Sequence, residues 1–188
     1  CVYALCQGPT QETFFSSGAD GLVVMWDVNE PGKGQVVAKV EGSVYALAFL
    51  AKSNQLLIAC NQDGFHLVDL DKRLEGWNFP LSNIQIFRII NDENIIWAAG
   101  SGGNLLRINL SDLEVETLRF GNGSLRSLSL NQARREIAIG SSDGTISIFS
   151  LEENKNSYTW KGHQSTVFGL SFYPNDQELV SVGKDAKL

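Results

Sequence analysis

The 188-residue chain is 43% hydrophobic and 19% charged, a balance that excludes disorder and supplies enough apolar side chain for a substantial core. Its 21 acidic residues against 15 Lys and Arg give a net charge of −6, which excludes the clustered positive charge that general nucleic-acid affinity requires. No apolar run is long enough to cross a bilayer, and Cys1, Cys6 and Cys60 are too few and too scattered for a disulfide framework or a zinc site, so a reducing, cytoplasmic setting is expected.

The predicted elements are short strands in groups of four. From the N-terminus, residues 2–5, 13–17, 22–26 and 35–40 form the first group. The second is 44–49, 55–59, 65–69 and 74–79, and the third 84–90, 95–99, 104–109 and 115–120. The fourth is 125–130, 136–140, 145–149 and 156–161, and 167–172 and 178–182 begin a fifth. Each run is rich in Val, Ile, Leu and aromatics and is fenced by Gly, Asn, Asp and Ser, which is strand chemistry. No segment sustains apolar residues at i, i+3, i+4 and i+7 over a helix length. The last run of each group is the most polar, as suits an outer edge.

The grouping repeats because one turn repeats. Asp20-Gly21, Asp63-Gly64, Gly102-Gly103, Asp143-Gly144 and Asp185-Ala186 each separate the second run of a group from its third, with first members 43, 39, 41 and 42 residues apart. Such pairs supply the positive φ of a tight, two-residue hairpin. Four antiparallel strands in about 40 residues make a propeller blade. The expected fold is therefore all-β: one propeller domain over 1–188, with blades near 1–40, 41–80, 81–121, 122–162 and a partial 163–188.

The stretch from Phe14 to Asp27, FFSSGADGLVVMWD, resembles the strand–turn–strand signature of the WD-repeat family, and Gly162-His163 resembles the Gly-His mark that precedes an innermost strand of that family. The resemblance covers the whole chain in phase. It implies about four and a half blades of the usual seven, so that the chain is an internal piece of a longer one. It also implies a structural network of Asp, His, Ser or Thr, and Trp within a blade. Ser16, Asp20 and Trp26 would form part of one such network, and His163, Ser181 and Asp185 part of another. The remaining blades are expected to rely on packing.

No cofactor or metal site is expected. Gly100-Ser101-Gly102-Gly103 follows a strand, but a phosphate loop should open a helix and the next run reads as a strand. His66 and His163 fall in different blades, without a nucleophile–base partner in evidence. His66 reads as a half-buried strand residue and His163 as a hydrogen-bonding staple. Arg134-Arg135 lies in a predicted loop and reads as solvated.

The family resemblance yields one sharper expectation, because two positions per repeat tend to face the top opening of such propellers. Carried over, the first set is Tyr3, Tyr45, Phe87, Arg126 and Phe168. The second is Ala19, Gln62, Ser101, Ser142 and Lys184. Four aromatics and an Arg are the residue types that dominate binding hot spots. The expected function is a non-catalytic scaffold that binds a peptide or protein loop there, with no nucleic acid, membrane or small-molecule substrate. The alternative, a propeller enzyme or small-ligand binder, would place its site in the central channel.

Overall fold

Turn residues cut the chain into strands, and each strand pairs with its sequence neighbour. A computed structural model describes residues 1–173 and 178–186; residues 174–177 of the partial fifth blade, and its end at Lys187 and Leu188, lie outside the described residues. The chain divides into two compact units, Cys1–Ile86 and Phe87–Leu188.

The first unit contains β1 (Val2–Gln7), β2 (Thr13–Gly18), β3 (Leu22–Asp27) and β4 (Gln35–Lys39), which form one antiparallel sheet in sequence order. A second such sheet follows, of β5 (Val44–Leu50), β6 (Gln55–Cys60), β7 (Gly64–Asp69) and β8 (Leu74–Phe79). Ala4, Phe15, Val23, Val44, Leu47, Leu56, Ile58 and Val68 close into one apolar cluster shared by both sheets. Phe15 and Val23 are fully buried, and burying each such side chain stabilises by roughly 1.5–3 kcal/mol.

The second unit holds three sheets. The third sheet comprises β9 (Ile86–Asp92), β10 (Ile95–Gly100), β11 (Asn104–Asn109) and β12 (Val115–Arg119). The fourth comprises β13 (Leu125–Asn131), β14 (Glu136–Ser141), β15 (Thr145–Ser150) and β16 (Lys155–Lys161). The fifth pairs β17 (Val167–Phe172) with β18 (Leu179–Gly183). Trp97, Leu105, Leu125, Leu128, Ile137, Ile139 and Phe149 form the core of the third and fourth sheets. Phe149 sits at its centre, edge-on to Trp97 at 5.6 Å and to Phe120 at 5.7 Å between ring centroids.

The observed architecture is thus the four-stranded antiparallel blade of a β-propeller, repeated. In the second, third and fourth sheets the outer strand is the most exposed, whereas in the first sheet β1 is more exposed than β4; three of the outer strands carry an extra residue. Val37, Gly76 and Ser157 each fall at a register shift against β3, β7 and β15. These bulges interrupt the open ladder edge that would otherwise template pairing with another chain.

Two expectations change in detail. The run expected over 84–90 starts two residues later, at Ile86: Asn83 turns the chain with φ 64°, and the Ile86 amide donates to Asn61 Oδ1 at 3.2 Å. The hairpins are three-residue loops, not two-residue ones. Gly21 donates its amide to Gly18 at 3.5 Å and Gly144 to Ser141 at 3.1 Å, closing a turn one residue wider. In these two turns only the glycine has positive φ, 69° at Gly21 and 89° at Gly144, as in a turn ended by a left-handed residue, whereas Gly102 and Gly103 of the third hairpin both have it, at 65° and 73°. A Cβ at Gly144 would collide with the His163 carbonyl, so space and φ both demand glycine there.

Candidate partner-binding rim

The innermost strands share one irregularity. Val2 pairs with Gly18 and Ala4 with Ser17, so the register steps over Tyr3. In the same way Tyr45 is skipped between Val44 and Ala46, Arg126 between Leu125 and Ser127, and Phe168 between Val167 and Gly169. A bulge of this kind bends the strand and re-aims the extra side chain. The preceding residue stays in the core in three of the four sheets, since Val44, Leu125 and Val167 are buried. The bulged residue is exposed in the first and fifth sheets, Tyr3 by 43% and Phe168 by 60%, and half-buried in the second and fourth, at Tyr45 and Arg126. Phe87 follows the buried Ile86 at the start of β9.

Each unit presents its own set. In the first, Tyr3 and Tyr45 stack with ring centroids 4.6 Å apart and an interplanar angle of 8°. They form a flat aromatic slab. In the second, the Arg126 guanidinium carbon lies 3.6 Å from the Phe87 ring centroid, a cation–π contact that orients the arginine.

The second set of residues lies in the three-residue loops. Ala19, Ser142 and Lys184 each donate a backbone amide to the carbonyl just before the innermost strand, on Cys1, Ser124 and Thr166, at 3.3, 2.8 and 2.8 Å. Ser101 occupies the first residue of a 3-10 turn, Ser101–Gly103, and its carbonyl accepts from the Asn104 side chain at 2.7 Å. The second sheet differs. There Asn61, not Gln62, makes the equivalent bond, to Ser43 at 3.1 Å. Gln62 is exposed one position further on, its side chain lying against Gly42. The cause is a one-residue displacement, because Gly64 already belongs to β7 where Gly21 precedes β3. The uneven intervals of 43 and 39 residues on either side of Asp63 are its trace in the sequence.

Beside Ser142, Asp143 is held below the usual carboxylate range. Burial pushes its carboxyl up, but hydrogen bonds from Thr145, at 2.9 Å from the backbone amide, and the nearby Lys161 charge outweigh it.

The residues assigned to structure form one pair, Ser16 with Trp26, and one trio, His163 with Ser181 and Asp185, while Asp20 bonds within its own turn. In the first sheet, Trp26 Nε1 donates to Ser16 Oγ at 2.8 Å, while Asp20 Oδ1 accepts from the Leu22 amide at 3.2 Å. In the fifth sheet, His163 lies 2.8 Å from Asp185 through Nδ1 and 2.8 Å from Ser181 through Nε2. The other Asp185 oxygen accepts from the Gln164 amide at 3.0 Å. His163 is buried, and the imidazole bridges the turn carboxylate to the middle of β18.

Sequence reasoning missed a third polar anchor. Asp92, at the end of β9, is only 3% exposed and accepts from Arg135 Nη1 at 2.8 Å, with Gln132 Nε2 at 3.5 Å. Arg135 is therefore an ion-pair partner between the third and fourth sheets, not a solvated loop residue. The buried carboxylate beside it raises its pKa. Among the described residues, no group of three or more His, Cys, Asp and Glu is arranged to hold a metal ion. No helix of the described chain is long and apolar enough to cross a membrane.

Comparison with known proteins places these features. The family model for the WD domain, G-beta repeat, matches residues 1–27 and 154–188, the two segments that carry the partial networks. The WD repeat-containing protein 91 homolog of Dictyostelium discoideum is 24% identical over 92% of this chain and 24% of its own length. Transcription factor unc-37 of Caenorhabditis elegans is 22% identical over 94% of this chain and 29% of its own. The transcriptional corepressor LEUNIG_HOMOLOG of Arabidopsis thaliana is 21% identical over 95% of this chain and 18% of its own. The chain thus spans less than a third of the length of each of these relatives.

Proposed function

The chain belongs to the WD-repeat family, and from that premise we propose that it is a non-catalytic protein–protein interaction scaffold whose bulged rim residues hold a peptide or protein loop. The observation that carries this reading is the bulge itself. In four sheets it takes the same residue, Tyr3, Tyr45, Arg126 or Phe168, out of the ladder, next to a neighbour that packs in the core in three of them. Tyr3 and Tyr45 stack on one another there, and aromatic anchors carry binding energy at low entropic cost. The transcription factor and the corepressor among the relatives support a protein as the partner. They make the nucleus as fitting a workplace as the cytoplasm.

The test uses peptides selected from a random display library against the 188-residue chain. Two double variants separate the units: Tyr3→Ala with Tyr45→Ala, and Phe87→Ala with Phe168→Ala. At least one should weaken the selected peptides by roughly thirtyfold, the size of a hot-spot loss of about 2 kcal/mol. Unfolding should shift by no more than about 1 kcal/mol, the worth of an aromatic pair. Full binding by both doubles would refute the reading, and so would a collapse of stability without a selective binding loss.

A further inference from the structure

The second unit contains a cleft of about 470 Å3 between the end of β12 and strands β14 to β16. Its residues correspond to those around His163 one repeat later. Gly121 stands two residues after β12 and four before β13, as His163 stands two after β16 and four before β17. Asp143 holds the turn position of Asp185, and Ile139, opposite Leu128, takes the place of Ser181, opposite Leu170. Gly121, Ile139 and Asp143 all line the cleft. In the fifth sheet the buried imidazole joins Asp185 to Ser181. In the fourth a glycine holds the ring's position, and a Cβ on Gly121 would meet nothing within 4 Å.

The walls suit such a ring. Phe120 and Phe149, edge-on at 5.7 Å, supply apolar surface. Asp143 is exposed at the mouth, and one of its oxygens accepts from the Thr145 amide at 2.9 Å. Ser141 lies two residues beyond Ile139 on the same face of β14 and is 6% exposed. Its Oγ is buried with no hydrogen-bond partner, although it stands near enough to Asp143 to favour the ionised carboxyl. A buried hydroxyl in that state costs free energy that a ligand would recover. We propose that this cleft takes the imidazole ring of a histidine carried by a protein partner. One ring N–H donates to the Asp143 carboxylate. The Ser141 hydroxyl, rotating about its Cα–Cβ bond, donates to the other ring nitrogen. Arg119 and Lys155 outnumber Asp143 in the lining, which favours a neutral ring over a lysine or arginine. One ring fills only part of the cleft, so residues flanking the histidine enter with it. No rim residue lines this cleft, and the site shares with the rim reading only the protein nature of the partner.

The experiment titrates N-acetyl-histidine amide into the 15N-labelled 188-residue chain at mildly alkaline pH, where the imidazole is neutral, beside N-acetyl-phenylalanine amide and free imidazole. Saturable shifts are expected at the Ser141, Asp143 and Thr145 amides with the histidine amide, weaker ones with free imidazole, and none with the phenylalanine amide. Asp143→Ala should weaken binding about tenfold, the loss of one hydrogen bond to a charged group. Gly121→His should bring a tethered ring into the cleft and abolish the shifts, whereas Gly121→Ala, which makes the same backbone demand, should leave them. Histidine is among the residues that adopt a positive φ such as the 69° found here. Equal shifts from the phenylalanine amide would overturn the proposal, as would an unchanged affinity in Asp143→Ala, or binding by Gly121→His as tight as by Gly121→Ala. Free imidazole binding as tightly as the histidine amide would overturn the protein origin of the ring.

Discussion

The fifth sheet ties the loop ahead of its first strand to its own second strand and turn, whereas the third and fourth sheets are tied to one another. His163 does the first, reaching Asp185 and Ser181 within one sheet. Arg135 does the second, reaching Asp92 across a sheet boundary. The intra-sheet network keeps its members 18 and 22 residues apart, inside one repeat. The inter-sheet pair spans 43 residues, one full repeat. Other bonds of the second kind follow the same rule. Ser127 Oγ donates to the Val167 carbonyl across 40 residues, and Ser129 Oγ accepts from the Phe172 amide across 43. The third and fourth sheets, which lack the family network, are therefore not left to packing alone, because they exchange polar bonds with their neighbours at the repeat spacing.

The largest expected effect breaks the inter-sheet anchor. Arg135→Ala leaves the Asp92 carboxylate buried with only the long contact to Gln132, and should destabilise by about 3 kcal/mol, the low end for an orphaned buried charge because Arg135 itself is 39% exposed. Adding Asp92→Asn removes the stranded charge and should recover most of that loss. Denaturant unfolding of the two variants checks the pair, and a single variant within 0.5 kcal/mol of the parent (roughly the scatter of neutral surface changes) would rule the anchor out.

The intra-sheet network should matter somewhat less. His163→Ala removes two hydrogen bonds and strands Ser181, but Asp185 keeps the Gln164 amide, so the expected cost is about 2 kcal/mol. His163→Gln can restore only part of the bridge and should fall between the two. Should His163→Ala prove costlier than Arg135→Ala, the order drawn between the two anchors would reverse.

The partial network of the first sheet is smaller again. Trp26→Phe retains most of the apolar area and the 6.4 Å stack on Phe14 while deleting the bond to Ser16, so about 1 kcal/mol should be lost. A double-mutant cycle with Ser16→Ala isolates that bond, and a coupling energy near zero would reduce Trp26 to packing.

Much of this was legible in the chain because the relevant distances are local. Strand runs, outer-strand polarity and the His163, Ser181 and Asp185 set all lie within one repeat, where hydrophobic alternation and turn residues fix the register. Asp92 and Arg135 were not legible. Nothing about a carboxylate after β9 and an arginine in the β13–β14 loop links them until the sheets are set side by side. The shift from Gln62 to Asn61 was half legible: the turn pair marks the loop, but only the hydrogen-bond register shows which residue occupies each place in it. The bulges at Tyr3, Tyr45, Arg126 and Phe168 were legible as a phase and not as a geometry: an inserted residue shifts the alternation by one, and a strand such as β5, buried on both faces, does not show that shift in its sequence.

The smallest expected effect concerns the loop carboxylate beside the rim. Asp143 is held below the ordinary carboxylate range in the folded chain by Thr145 and Lys161 in spite of burial. A depressed folded value contributes stability that is fully present above the unfolded value, about 4, and is lost as pH falls through the folded one. The side chain is largely exposed and screened, so the contribution is roughly a few tenths of a kcal/mol. Asp143→Asn should leave the midpoint of unfolding nearly unchanged at low pH and lower it slightly at neutral pH, flattening the acid limb of the stability profile. An identical profile for parent and variant would mean that Thr145 and Lys161 do not favour the ionised form. A larger difference at neutral pH than that for Trp26→Phe would promote this turn from a loop detail to an anchor in its own right, comparable with the two that hold the second unit.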